Sequence, residues 1–384
     1  MNRTIIAAAL AAPLAWMPTA ADAQIAVSAN DAKLVNESGV VKTVPGGRDT
    51  ATIIDLGRFP PRAIAEVDVP TSVAGPPTSV AVAPDESFAL VTAAEKLDPA
   101  DPSKRVPDNR LSVIDLQAAL PRVIQVLEAG AGAAGVSINR AGTLAIVANR
   151  GEGTISMFAI SGKTLMPAGK LKLGAANSGP SHVAFAPDGK SALVTRDGDN
   201  GLTLLAIDGA KVTDSGRTFY AGLRPYGLDI SRDGSIAVVA NIGRGQGDWD
   251  TISVIDLRAS PPRTVETVTV GPTPEGIKLS PDGRYVAVVL HNGSAGVPTS
   301  PFYNAFGKLL LYGVNGTRLT RLSEGRIGRW SQGVAFSNDS KTLLVQNMVE
   351  KDIQVFRIEG EQLVDTLHRI PLPGGGAAIR TADK

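Results

Sequence analysis

One segment recurs along this 384-residue chain and constrains its fold more than any other feature. Its clearest copy is GPTPEGIKLSPDGRYVAVVLHNG, residues 271–293. Residues 276–280 and 285–290 have the apolar and β-branched character of strands, and the Pro281-Asp282-Gly283 sequence between them is typical of a tight turn. The segment therefore predicts a β-hairpin. Six copies align on this turn, at residues 77–87, 134–142, 180–190, 225–235, 274–284 and 331–341.

Two more strand-like segments follow each hairpin. The third-strand segments are RLSVIDL (110–116), TISMFAI (154–160), GLTLLAI (201–207), TISVIDL (251–257), KLLLYGV (308–314) and DIQVFRI (352–358). Segments such as RTVETVTV, residues 263–270, supply a fourth strand. The 41 glycines and 26 prolines suit a chain of short strands joined by turns. Four antiparallel strands per repeat predict the blades of a β-propeller.

The two ends of the chain complete one further blade. TATIIDL (50–56) matches a third strand, with a second strand before it at 25–31 and a fourth after it at 62–69, but no first strand precedes them. GGGAAIR (374–380) matches a first strand that has no partners of its own. We therefore predict an all-β, seven-bladed β-propeller whose ring is closed by N-terminal strands pairing with a C-terminal strand. Residues 24–384 are expected to form a single domain, because a lone blade buries too little to be stable.

The first 23 residues have the pattern of a secretory signal peptide. They contain a cation at Arg3, an apolar run at 5–16 and a small-residue ending at 21–23, which predicts cleavage before Gln24. The alternative, a membrane anchor, needs about 18 apolar residues, and Pro13 interrupts this shorter run. A periplasmic or secreted protein is expected, with no membrane insertion after cleavage.

Composition excludes several classes of partner and site. The 38 Lys and Arg residues nearly balance the 37 Asp and Glu residues, so no net field favours nucleic acid. The chain has no cysteine, which excludes disulfides, covalent c-type haem and thiolate metal sites. No cofactor is predicted, although a divalent metal at the channel mouth remains an open alternative.

Hairpin geometry predicts where a site would lie. The hairpin turns share one end of the blades, which is interpreted as the passive end. The residues entering the first strand and leaving the second should ring the channel mouth at the other end, where Glu275 and His291, at the two open ends of one hairpin, are expected to face each other. The entry positions are Thr78-Ser79, Ala134-Gly135, Ser181-His182, Tyr226-Gly227, Glu275-Gly276 and Gln332-Gly333. The exit positions are Ala93, Asn149, Arg196, Asn241, His291 and Asn347. Long connections at 32–49, 93–109, 241–250 and 291–307 rise from the same end.

Polar, titratable and aromatic groups at this mouth give the candidate residues. The predicted catalytic residues are His182, Glu275, His291 and Arg196. The predicted substrate-binding residues are Arg224, Tyr226, Asn149, Asn241, Trp330, Gln332 and Asn347. The alternative is structural: the three asparagines are favoured as turn caps, and Glu275 and Arg196 could pair with each other or with neighbours. Residues 197–201 (DGDNG) lack the spaced ligands of a calcium loop and are interpreted as a turn.

The segments SPDGRYVAVVLHN, APDGKSALVTRDGDN and SRDGSIAVVAN, the last followed by TISVIDL, resemble those of YVTN-type β-propellers. That group is similar in fold to lactonase propellers such as 6-phosphogluconolactonase. The resemblance covers the chain after the signal peptide. It implies that His182, Arg196 and Glu275 could correspond to the His, Arg and Glu of lactonase-like members.

Two functions are carried forward. The first is a periplasmic enzyme acting on a small, oxygen-rich, anionic compound in the central funnel, by lactone hydrolysis or related acid/base chemistry. The second is a non-catalytic protein that binds a small ligand, or a protein partner on its long-loop face. Aromatic residues in or near the long loops motivate the second, since aromatic anchors dominate binding surfaces. These are Trp249, Phe302, Tyr303, Phe306 and Trp330.

Overall fold

The computed structural model describes residues 24–384, which form seven four-stranded antiparallel sheets. The predicted signal peptide at 1–23 lies outside the described residues. One 3-10 turn, Ala176–Ser178, is the single helical element of the described part. None of the helical structure in residues 24–384 has the length and apolar character to cross a membrane. The prediction of an all-β, seven-bladed propeller is confirmed.

The blades are numbered in order around the ring, with strands given from the channel outward. Blade 1 contains Gly375–Thr381, Ile25–Asp31, Thr50–Asp55 and Arg62–Asp68, and blade 2 contains Val80–Val82, Phe88–Thr92, Arg110–Asp115 and Arg122–Glu128. Blade 3 contains Ala133–Ile138, Leu144–Asn149, Thr154–Ser161 and Thr164–Lys172, and blade 4 contains Pro180–Phe185, Ser191–Arg196, Gly201–Asp208 and Lys211–Phe219. Blade 5 contains Pro225–Ile230, Ile236–Asn241, Asp250–Asp256 and Arg263–Gly271. Blade 6 contains Pro274–Leu279, Tyr285–Leu290, Gly307–Asn315 and Arg318–Ile327, and blade 7 contains Ser331–Phe336, Thr342–Asn347, Asp352–Glu359 and Gln362–Pro371.

Blade 1 closes the ring as predicted. Its inner strand, Gly375–Thr381, pairs antiparallel with Ile25–Asp31 near the start of the described chain. The same inner strand contacts the inner strands of blades 2 and 7, so the seven inner strands form a continuous circle around the channel. No sheet edge is left open at the junction of the two termini, which is how a propeller protects its blades.

The hydrophobic core lies between neighbouring blades. One cluster joins Val238 and Val254 of blade 5 to Ile277, Val288 and Leu310 of blade 6, and equivalent clusters fill the other blade interfaces. Each sheet is therefore covered on both faces by its neighbours, which explains why the second strands read as continuous apolar runs.

Crowding of the inner strands explains the glycines at the second entry position. A Cβ on Gly227 would lie 2.4 Å from the carbonyl oxygen of Glu275, and one on Gly276 would lie 2.4 Å from that of Gln332. Glycine is needed here because the neighbouring backbone occupies the space of a side chain. Blade 4 carries His182 at this position, and the His182 ring extends to blade 5, where Nδ1 accepts the backbone N–H of Leu228 at 3.2 Å.

Two small hairpins stand on the face opposite the hairpin turns. We call the first, Leu34–Glu37 with Val40–Thr43, the first rim hairpin; the second is Glu95–Leu97 with Arg105–Pro107. Leu34 is buried against Met348 and Ala377, and Asn36 donates to the carbonyl of Ala295 at 2.9 Å. The first rim hairpin therefore leaves blade 1, crosses part of blade 7 and reaches the long loop of blade 6. We call this end of the channel the loop face and the opposite end the turn face.

Candidate functional site

The strand pairing in the inner hairpins corrects one of the predicted exit positions. Pro180 pairs with Arg196 and Pro225 pairs with Asn241, but the equivalent Pro274 pairs with Leu290. His291 is therefore not an exit residue; it lies one position later. The alignment was wrong in blade 6 because Leu290 stands where blades 3, 4, 5 and 7 have a polar residue, which made the strand look one residue longer.

The exit side chains are directed into their own blades. Asn149 donates to Thr154 Oγ1 and Ser156 Oγ, each at 2.9 Å, and accepts the backbone N–H of Gly130 at 2.9 Å. Asn241 and Asn347 also donate to side chains of the third strands of their own blades. These amides tie the second strand to the third and to the preceding loop, as the structural alternative for them expects.

Arg196 follows the same pattern. Its Nη1 donates to the carbonyl of Leu173 at 2.9 Å and its Nε contacts Asp199 at 3.2 Å. The guanidinium packs over Gly201 of the third strand of blade 4. The structure thus gives Arg196 partners within or beside its own blade and does not pair it with Glu275.

Glu275 and His291 face each other at the loop face, as predicted for the two open ends of this hairpin. A Glu275 carboxylate oxygen contacts His291 Nε2, and the two side chains are only 8% and 11% exposed. The Gln332 amide nitrogen lies 3.3 Å from the same imidazole nitrogen, while Gln332 Oε1 is buried with no hydrogen-bond partner among residues 24–384. The carboxylate thus fixes the orientation of the imidazole ring.

A cavity of about 410 Å³ opens beside this pair. His291 lines it together with Pro272, Thr273 and Phe302, and residues 245–247 form another wall. The cavity is within the size range of small-molecule sites, about 300–1,000 Å³. A titratable ring held by a buried carboxylate therefore borders a space large enough for a sugar-sized ligand.

A second cluster lies at the loop-face ends of blades 3, 4 and 5. Asp197 is buried and accepts from Arg150 Nη2 at 2.7 Å, from Arg224 Nη2 at 2.9 Å and from Ser181 Oγ at 2.8 Å. Burial opposes ionisation of Asp197, but its bonds to Arg150 and Arg224 outweigh this effect and hold the pKa of the carboxyl below its usual range. Two guanidinium groups share one carboxylate, so the cluster keeps a net positive charge.

Tyr226 lies between the two clusters. Burial raises the pKa of its phenol, and Glu275 adds to the rise, so that the hydroxyl is protonated at neutral pH. The Arg150 guanidinium lies 5.8 Å from the centre of the Tyr226 ring. Arg224 also donates to the carbonyl of Gly243 at 3.3 Å, at the start of the loop that lines the cavity. The arginine cluster, Tyr226 and the Glu275–His291 pair thus lie near one another at the loop face.

The remaining candidates occupy two different places. Trp330 packs beside the Leu34 cluster under the first rim hairpin, with its backbone N–H donating to Ser294 Oγ at 3.0 Å. His182 lines a separate cavity that opens at the turn face. The structure therefore brings Glu275, His291, Gln332, Tyr226 and Arg224 to one side of the channel, and it does not bring His182 or Arg196 to the same site.

Arg150, Asp197 and Ser181 were not selected as site residues from the sequence, although Ser181 was among the entry positions and Asp197 lay in a segment interpreted as a turn. Arg150 and Asp197 each follow an exit residue directly, and His291 occupies the same structural position in blade 6. In a strand, consecutive side chains point to opposite faces, so the position after the exit residue is the one that returns toward the mouth. The residue directly after each exit position was therefore the sequence signal that could have identified Arg150 and Asp197. No group of three or more His, Asp or Glu side chains in residues 24–384 is arranged to hold a metal ion.

Comparison with known proteins identifies the fold. A proposed 6-phosphogluconolactonase from Bacteroides fragilis superposes with a TM-score of 0.72 at 16% identity, over 95% of this chain and 99% of that one. The chain has the fold of these lactonase-like propellers. A second such protein, from Bacteroides uniformis, gives 0.70 at 18% identity over 94% and 99% of the two chains, and the periplasmic gluconolactonase of Pseudomonas aeruginosa gives 0.69 at 15% over 94% and 99%. No family model and no curated protein matches the sequence, and identities this low show the fold alone.

Proposed function

We propose that the protein is a periplasmic lactone hydrolase that acts on a small, oxygen-rich, anionic lactone at the loop face of the channel. The observation that carries the proposal is the buried Glu275–His291 pair beside a cavity of about 410 Å³. The likeness in fold to proteins described as gluconolactonases, one of them periplasmic, supports the reaction class and the location.

The Glu275–His291 contact sets the chemistry of the imidazole. Because the carboxylate accepts a hydrogen bond, the ring proton is held at Nε2 and the lone pair is left on Nδ1. Within residues 24–384 no hydrogen bond reaches Nδ1. This nitrogen is therefore available as a general base, and Glu275 stabilises the imidazolium that forms when Nδ1 takes up a proton.

Hydrolysis then proceeds in two steps. Nδ1 of His291 removes a proton from water as the water oxygen bonds to the lactone carbonyl carbon, and the carbonyl electron pair moves onto its oxygen. When the tetrahedral intermediate collapses, the ring C–O bond breaks and the leaving alkoxide takes the proton from Nδ1. One lactone and one water give one hydroxy acid, and the base returns to its starting state.

The positive cluster accounts for the preference for an anionic substrate. Arg150 and Arg224 share the single carboxylate of Asp197, so the surface beside the cavity attracts a carboxylate or phosphate group of the substrate. The Tyr226 hydroxyl, which stays protonated, can donate a hydrogen bond to substrate oxygen. Anchoring of the charged end by these groups would leave the lactone carbonyl to be placed near His291.

A pH-stat assay with a panel of five- and six-membered sugar lactones, each with and without an anionic group, tests the proposal. His291→Gln should lower kcat/KM by about 10²- to 10⁴-fold, the range expected for a lost general base. His368→Gln is the matched control, because His368 lies on the outer strand of blade 7 and its Nε2 contacts the carbonyl of Pro61 at 2.8 Å. Equal turnover by the wild type and His291→Gln would refute the proposed function.

A binding protein is the second candidate, favoured by two exposed aromatic side chains. Trp249 is 71% exposed on the loop of blade 5, and Phe302 is 53% exposed on the loop of blade 6. Large exposed aromatic groups commonly anchor partners. Saturable binding of a panel compound without turnover would favour this candidate over the hydrolase.

A further inference from the structure

The channel also opens at the turn face, through a cavity that we call the turn-face cavity. It has a volume of about 100 Å³ and is lined by inner-strand residues from all seven blades. The Pro-Asp-Gly type turns lie at this end of the channel, which was interpreted from the sequence as passive. It is separate from the loop-face cavity beside His291.

Three charged residues occupy one level of the inner strands. Asp229 of blade 5, Lys278 of blade 6 and Arg380 of blade 1 stand at equivalent positions in their strands. The equivalent positions in blades 2, 4 and 7 carry alanine, namely Ala81, Ala184 and Ala335. The small side chains leave room in the channel for the long ones.

Lys278 is fully paired at this level. Its ammonium lies 3.0 Å from Asp229 and 2.7 Å from Asp383. Burial alone would lower the pKa of Lys278, but the two carboxylates outweigh it and raise the pKa. Asp229 in turn accepts the backbone N–H of Leu279 at 2.8 Å. Lys278 and Asp229 are thus accounted for as a structural ion pair.

Arg380 is different. Its side chain lines the cavity and the residue is 7% exposed, yet its guanidinium makes no hydrogen bond and no salt bridge with any part of residues 24–384. Burial lowers the pKa of Arg380, and the carboxylates of Asp229 and Asp383 oppose this effect without forming a hydrogen bond to the guanidinium. Its five N–H donors therefore have no acceptor among residues 24–384. Such a group is expected to meet an anion or ordered water in the cavity.

His182 presents a second donor to the same cavity. Its Nδ1 accepts the backbone N–H of Leu228, so the ring proton is on Nε2, which has no hydrogen-bond partner among the described residues. Burial lowers the pKa of His182, and the charges of Arg380 and Lys278 lower it further, so the ring is neutral at pH 7. Its Nε2–H remains a donor over the whole physiological range.

The rim of the cavity is also positive. Arg140 and Arg232 stand in hairpin turns at the position where blades 4 and 6 have Pro187 and Pro281, and all four residues line the cavity. Burial lowers the pKa of Arg140, the charge of Arg232 lowers it further, and the nearby carboxylate of Asp383 only partly opposes the two effects. Lys384 also lines the cavity but pairs with Glu86 at 2.9 Å.

We propose that the turn-face cavity binds a small oxyanion, a carboxylate or a phosphate, held by the guanidinium of Arg380 and the Nε2–H of His182. The planar fork of arginine matches two oxygens of either anion, and a neutral imidazole N–H completes the cradle. A cavity of about 100 Å³ has room for such an ion with its remaining water. The site lies at the opposite end of the channel from the proposed hydrolase site and does not depend on it.

Histidine NMR provides the test, because the chain contains three histidines and each belongs to a different environment. Protein labelled with ¹⁵N-histidine is titrated with sodium phosphate in one arm and sodium acetate in the other, at constant ionic strength. We expect the signals of His182 to shift in a saturable manner, with the signals of His368 unchanged. The two arms show whether the site prefers phosphate or carboxylate.

Arg380→Gln should weaken this binding by at least about 10-fold, since it removes the charge-assisted bidentate contact. Arg263→Gln removes an equal charge from an exposed position on the outer strand of blade 5 and should bind like the wild type. If Arg380→Gln does not fold, Arg140→Gln, at the partly exposed rim, should still weaken binding about 2- to 5-fold through lost attraction.

Three results would overturn the proposal. The first is no saturable shift of His182 with either anion. The second is a shift of His291 alone, which would place the anion at the loop face. The third is unchanged affinity in folded Arg380→Gln or, where that variant does not fold, in Arg140→Gln.

Discussion

Ring closure can be tested with two matched isoleucines. Ile379 in the composite blade and Ile277 in blade 6 stand at the same level of their inner strands, and they are 0% and 1% exposed. Ile379 packs in the cluster that joins blades 1 and 7, while Ile277 packs between blades 5 and 6. Truncation of each to alanine removes the same atoms from equally buried sites, in one blade built from both termini and in one built from continuous chain.

We expect Ile379→Ala and Ile277→Ala to cost about the same, roughly 2–5 kcal/mol each, as is usual for buried isoleucine. For a domain of this size that corresponds to a fall in Tm of roughly 3 to 6 °C. Ile124, 42% exposed on the outer strand of blade 2, supplies the control, and Ile124→Ala should change stability by less than about 0.5 kcal/mol.

Differential scanning calorimetry measures all three variants against the wild type. Deletion of 374–384, which removes the whole inner strand of blade 1, should lower Tm further than either isoleucine variant. A fall in Tm for Ile379→Ala no larger than that for Ile124→Ala would refute the closure. It would mean that the inner strand of blade 1 separates before the rest of the propeller unfolds.

Three further predictions concern the loop face. If Glu275 acts through His291, Glu275→Gln should lower kcat more than it raises KM, and the double variant with His291→Gln should be no slower than His291→Gln alone; additive losses in a steady-state assay would contradict this. Gly39→Ala places a Cβ 2.3 Å from the Gly296 backbone and should lower the hydrogen-exchange protection of the first rim hairpin. Gly46→Ala, at a similar positive φ with nothing within 4 Å, should leave that protection unchanged. Equal protection in the two variants would contradict the contact between the first rim hairpin and the loop of blade 6. The pKa of Asp197 is lowered in the folded protein, so the stability that it contributes is present above its unfolded pKa and is lost as pH falls through its folded pKa. The loss of unfolding free energy caused by Asp197→Asn should therefore shrink below about pH 4 in urea titrations. A pH-independent difference from the wild type would contradict this reasoning.

The fold could be predicted from the sequence because the same strand and turn pattern recurs in every repeat. Turn residues and β-branched runs recur in six copies, and the incomplete ends at 25–69 and 374–380 supply the missing blade. Each copy corrects the uncertainty of another, so strand order and ring closure follow without knowledge of any side-chain contact.

The site could be predicted only in part, because it depends on register to a single residue. The inner strands of blades 3 to 7 carry a bulge or register irregularity at the entry positions themselves, as between Pro180 and His182 in blade 4. A bulge shifts the alternation of side chains, and no residue pattern marked it. Glu275 and His291 were predicted to meet and do meet, whereas Arg196 turned into its own blade and the role of Asp197 was missed.

The turn face was interpreted as passive because turn residues such as Pro281 and Gly283 serve the backbone alone. That interpretation overlooked the strand just before the turn. Lys278 lies three residues before Pro281 and is 8% exposed, and Arg380 occupies the equivalent level in a blade without a hairpin turn of its own. Charged residues at buried inner-strand positions are rare enough to have been a signal in the sequence.

The two channel histidines differ in chemistry because a different ring nitrogen is engaged by a hydrogen-bond partner in each. His291 donates its Nε2–H to the Glu275 carboxylate, which leaves the lone pair of Nδ1 free to accept a proton. Nδ1 of His182 accepts the backbone N–H of Leu228, which leaves Nε2–H as a donor and no free lone pair to act as a base. Burial lowers the pKa of His182, and the nearby charges of Arg380 and Lys278 lower it further. The proposed proton transfer is therefore assigned to the loop face, and the proposed anion site, which needs only N–H donors, is assigned to the turn face.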